Sequence, residues 1–170
     1  LAPAGRGLGR GEGEGAAGVW LGERGYAVTS GDKLRVGVQT ATTLAAEKGV
    51  TLTTALVDLA SWSPEPASVD AVVLIYVHLP GSIRLRAHRA LAAGLKPGGW
   101  LILEAFHPQQ LQHASGGPKD VDMLYTPEQL TEEFEGLLKP ALAWQGETTL
   151  SEGPGHQGLA HVTRWLGQRI

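Results

Sequence analysis

The chain has 170 residues, 42% of them hydrophobic, which suits one domain (1–170) with a buried core. Its formal net charge is only −3, and its 14 basic residues are scattered, which argues against nucleic acid as the main partner. It has no cysteine, so disulfides, thiolate nucleophiles and Cys-ligated zinc are excluded and a reducing cytoplasm is the expected compartment.

In chain order, "GRGLGR" (residues 5–10) opens an alternation of strand and helix. Residues 16–24 and 34–48 read as helices, with "YAVTSGD" as a strand between them. "GVTLTTALVDLASW" reads as a strand ending near Val57, rich in β-branched residues. Ala71 to Val77 is continuously apolar, as in a parallel strand buried on both faces, and is far too short to span a bilayer. Residues 82–95 carry Ile83, Ala87, Leu91 and Leu95 at helical spacing, and "KPGG" is expected to stop that helix before the strand "WLILEAF". The rhythm predicts a doubly wound α/β sheet.

After Pro108 comes a long polar segment of the kind that forms lids. Residues 127–138 read as a helix, with Thr126 as N-cap, Pro127 at the first position and Gln129 completing a capping box. Two extended segments, 141–150 and 159–166, predict an antiparallel hairpin at the sheet edge.

The chemistry-bearing residues follow the strands. "GRGEGEGAAG" (9–18) lies after the first strand, where glycine lets backbone approach a ligand closely. It contains a formal GxGxxG at Gly13, Gly15 and Gly18, a weak dinucleotide signal on its own. Asp32 ends the second strand, suited to ribose hydroxyls or to capping the next helix. Asp58 ends the third, suited to an adenine amine or to a turn. No GxSxG elbow or Walker loop is present. The six histidines show no close metal-ligand spacing, so no metal is expected. His78 and His107 follow the fourth and fifth strands and suit either an acceptor or loop backbone; Tyr125 is a further candidate, and His88 is expected to face solvent.

These features together resemble the class I S-adenosylmethionine (SAM)-dependent methyltransferases, nearest to the small bacterial group similar to tellurite-resistance and thiol methyltransferases. The resemblance rests on "GEGEG", "VWLGERGYAVT", Asp32, "AAEKGV", "DLASW", "SVDAVVLIYVHLP", "LKPGGWLILEAFHP", "GGPKDVDMLYTPEQL" and "EGPGHQG". It implies a mostly parallel seven-stranded sheet of order 3-2-1-4-5-7-6, with strand 7 antiparallel. It implies a SAM site in which Gly11, Glu12, Gly13, Glu14 and Gly15 wrap the methionine part. Asp32, with Lys33 beside it, would hold the ribose; Asp58 and Leu59 would contact adenine; Ile75 and Tyr76 would line the sulfonium side. The product would be S-adenosylhomocysteine and the acceptor a small molecule, a thiol or a metalloid oxyanion, with no membrane partner and a monomer or homodimer as the assembly. Against the family pattern, Ala16 and Ala17 replace Arg-Asn, Leu34 stands near a usual Ser, and helices preceding the first strand are expected to be missing. Those departures leave a non-catalytic protein of the same fold as an alternative, with a nicotinamide (NAD(P)) oxidoreductase behind it.

Overall fold

In the computed structural model, the structure describes residues 57–151 and 157–170, the backbone of three earlier strands, and the isolated residues Glu23, Thr42, Thr43, Ala46, Glu47 and Gly49. Seven strands form one sheet: β1 (Arg6–Arg10), β2 (Ala27–Asp32), β3 (Leu52–Leu56), β4 (Val69–Ile75), β5 (Leu95–Phe106), β6 (Leu138–Ser151) and β7 (Gln157–Arg169). Their order is β3-β2-β1-β4-β5-β7-β6. β1 to β5 pair in parallel, while β7 runs antiparallel to both β5 and β6. The glycine-bearing β1 is central, with Gly7 to Arg10 registered on Ala71 to Leu74 of β4.

Of the expected helices over 16–24 and 34–48, only Glu23, Thr42, Thr43, Ala46 and Glu47 are described, each of them helical; the rest lies outside the described residues. The described helices are α1 (Gly81–Gly94) and α2 (Pro127–Glu133). The α2 capping box forms as the spacing predicts, with Thr126 Oγ1 accepting from Gln129 N at 3.1 Å and Gln129 Oε1 from Thr126 N at 3.0 Å. α2 is shorter than predicted, because the chain turns after Phe134 through Gly136 at φ +79°. "KPGG" does not separate helix from strand. It forms an irregularity inside β5, between the Val69–Leu95 and Ala71–Trp100 pairings, with Gly98 at φ +82°.

β4 and β5 are apolar on both faces because both faces are covered. One face packs Val72, Leu74, Leu101 and Leu103 against Leu91 of α1 and Leu130 of α2. On the other, Ile75, Tyr76 and Phe106 pack with Leu124, Leu150 and Val162. Trp165 is fully buried, whereas Trp100 and Trp144 remain partly exposed. No described helix is long and apolar enough to cross a membrane.

Candidate functional site

Parallel register brings the carboxyl ends of β1 to β5 to one edge: Arg10 pairs with Leu74, Asp32 with Leu56 and Ile75 with Glu104. From β1 the chain builds outward through β2 and β3, then crosses to β4 and β5 on the other side. The gap between the ends of β1 and β4 is therefore the switch point, where open α/β sheets leave a ligand crevice.

Tyr76, immediately after β4, stands at this point with φ +51°, a backbone conformation rare for a bulky residue. Several contacts hold it there. Its N–H donates to Glu104 O at 2.8 Å, its hydroxyl donates to Glu104 Oε1 at 2.7 Å, and its ring stacks on Phe106 at 4.8 Å. Arg164 Nε in turn donates to Glu104 Oε2 at 2.6 Å. Strain fixed by this many contacts aims the backbone rather than relaxing.

On the β3 side, Asp58 is exposed and forms an Asx turn, its Oδ1 accepting from Ala60 N at 3.0 Å. Leu59 buries its side chain in the core, and its carbonyl accepts from Arg86 Nη1 at 2.9 Å. Asp32 is the last residue of β2. Gly11, Glu12, Gly13, Glu14, Gly15 and Lys33 lie outside the described residues, as do Ala16, Ala17 and Leu34.

The three catalytic candidates all hold backbone. His78 Nδ1 meets Met123 O at 2.6 Å, and its Nε2 accepts from Phe106 N at 3.4 Å. His107 Nδ1 accepts from Gln109 N at 3.1 Å, capping the 3-10 turn Pro108–Gln112. The Tyr125 hydroxyl accepts from Leu79 N and donates to Val77 O at 3.0 Å, clamping the segment that leaves β4. Burial pushes its pKa far above the usual tyrosine range, so it stays protonated.

His88 corrects the expectation of a solvent-facing residue. It is fully buried, and its Nδ1 meets Glu133 Oε2 at 2.8 Å, while Arg84 Nε donates to Glu133 Oε1 at 2.6 Å. Burial raises the Glu133 pKa, but the hydrogen bonds from His88 and Arg84 more than offset it, leaving the carboxyl below 4.5.

Sequence spacing also missed a second polar group. One nitrogen each of His113 and His161 and one carboxylate oxygen of Glu147 lie within 4.8 Å of one another. β6–β7 pairing sets Glu147 opposite His161, and the segment carrying His113 is tied to β7 through Gln110 and Ser115. Burial holds the His107 and His161 imidazoles below 6.5, with His161 adding to the effect on His107.

The chain is similar to solved methyltransferase structures. A SAM-dependent methyltransferase from Methanosarcina mazei superposes with a TM-score of 0.78 at 18% identity, covering 100% of this chain and 94% of that one. TehB from Haemophilus influenzae gives 0.77 at 17% identity, covering 99% of this chain, which spans 59% of TehB. The N-methyltransferase NodS from Bradyrhizobium japonicum WM9, in complex with S-adenosyl-L-homocysteine, gives 0.73 at 15%, covering 98% and 79%. No family model and no curated protein matches the chain. The fold, with its mixed sheet, is that of the SAM-dependent methyltransferases.

Proposed function

We propose that the protein transfers a methyl group from SAM to a small-molecule acceptor, a thiol or a metalloid oxyanion. The carrying observation is the switch point between β1 and β4, with the strained Tyr76 held against Glu104 and Phe106 beside it. The residues at the strand ends fit the cofactor's parts. A glycine-rich stretch of sequence follows β1, an acid ends β2, and an acid with an adjacent backbone turn follows β3. In this reading Gly11 to Gly15 receive the amino-acid portion, Asp32 and Lys33 the ribose, Asp58 and Leu59 the adenine, and Ile75 and Tyr76 the sulfonium side.

SAM, when bound, supplies an already activated methyl. The protein's task is then alignment, and positioning supplies about 7–11 kcal/mol of a barrier in favourable cases. A thiol that ionises near neutral pH needs no general base. This accords with a site edge whose His78, His107 and Tyr125 are occupied with loop backbone.

Calorimetric titration with S-adenosylhomocysteine, with NADH as control, tests the reading. Micromolar binding with no NADH signal is expected, followed by turnover of a thiol acceptor. A cooperatively folded chain that gives no heat with S-adenosylhomocysteine would overturn it and leave a methyltransferase fold without cofactor. Restoring Arg-Asn at Ala16 and Ala17 should tighten binding; unchanged affinity would put the cost of the departures elsewhere.

A further inference from the structure

We propose that His113, Glu147 and His161 form a binding site for a divalent transition metal of the zinc class, which clips the strap after β5 to the β6–β7 hairpin. The donors are two imidazoles and one carboxylate, a set that favours Zn²⁺, Co²⁺, Ni²⁺ or Cu²⁺ over Mg²⁺ or Ca²⁺.

Their spacing is close to what coordination needs. Donors of a tetrahedral zinc site lie about 3.3 Å apart, given metal–ligand bonds of about 2.0–2.1 Å. His113 Nε2 and Glu147 Oε1 are already 3.7 Å apart, and all three donor atoms fall within 4.8 Å. Glu147 is the donor with room to close the gap, since its side chain is 57% exposed.

The surrounding framework holds the donors in advance. Gln110, itself buried, accepts from His161 N at 2.8 Å and donates to Ser115 Oγ at 2.9 Å and Gly116 O at 3.0 Å. Ser115 Oγ donates to Leu159 O at 2.7 Å. His113 therefore sits on a strap fastened to β7 beyond it and, through Gln110, before it. The His161 ring is oriented by Gln145 Oε1 at its Nε2 and by the His107 ring, whose centroid is 4.7 Å away. Three protein donors leave a tetrahedral ion one open position, as in sites that bind an exchangeable ligand.

The test is calorimetric titration of the metal-free full chain with ZnCl₂, with Co²⁺ absorption as a spectroscopic readout of geometry. One equivalent with micromolar affinity is expected, with tetrahedral Co²⁺ bands and a rise in Tm. Glu147→Gln and His113→Asn should each weaken binding at least tenfold, while Glu132→Gln on α2 leaves it unchanged. Thermal unfolding of the metal-free variants checks that they remain folded, and Glu147→Gln alters only an exposed side chain. No zinc binding, or binding that neither variant weakens, would overturn the proposal.

Discussion

Two histidine clusters in this molecule use similar residues to opposite ends. Between α1 and α2, His88 and Arg84 converge on Glu133 inside an apolar core, and rings close around the histidine, with Phe134 stacked at 5.3 Å and Tyr125 edge-on at 5.6 Å. At the hairpin, His113, Glu147 and His161 face one another near the surface, with no charge-paired donor closer than 3.7 Å between His113 and Glu147. In the first cluster the carboxylate is saturated by short hydrogen bonds, so removing it strands buried partners. In the second it is loosely held, so removing it costs the fold little. What separates the two clusters is the carboxylate, held by hydrogen bonds of 2.6 and 2.8 Å in the first and approached no closer than 3.7 Å by His113 in the second.

The largest expected effect follows from that contrast. Glu133→Ala should cost about 3 kcal/mol, because His88 and Arg84 lose the carboxylate they share. Urea denaturation should show a lower midpoint with an unchanged slope; a loss below 1 kcal/mol would place Glu133 with the surface ion pairs. Next, Tyr125→Phe should cost about 1–3 kcal/mol, since the Leu79 N–H then loses its buried acceptor. A neutral result in the same assay would detach the tyrosine from the β4 exit.

Acid should sharpen the comparison further. The Glu133 pKa lies below its ordinary 4.5, so its contribution is complete above about pH 4.5 and is lost as pH falls through the lower folded value. Urea midpoints measured from pH 6 to pH 3 should fall more steeply for the native chain than for Glu133→Gln; parallel profiles would deny the linkage. The smallest effect is expected at the hairpin, where Glu147→Gln should change metal-free stability by less than about 0.5 kcal/mol.

Local features were legible in the sequence because local physics makes them. The Thr126–Gln129 box and the doubly apolar β4 needed no distant partner to be recognised. His88 departs from the solvent-facing expectation because it shares the buried helical face of Leu91, Ala92 and Leu95. Its partner Glu133 is 45 residues away, beyond any spacing rule. The same holds for Glu147 and His161, which only strand register sets opposite each other. "KPGG" illustrates a different limit: turn chemistry identifies where the backbone bends, but not whether pairing resumes on both sides of the bend.

β6 is the last strand of the sheet on its side, and most of its residues are exposed. Its outer edge therefore offers backbone groups that another chain could pair with. Pro140 removes one donor, the pairing is irregular between Pro140 and Leu142, and Lys139 adds charge beside them. These devices guard only the start of the strand. From Leu142 to Thr149 the strand carries one charged residue, Glu147, so the hairpin's middle is where edge-to-edge misassembly at high concentration should begin.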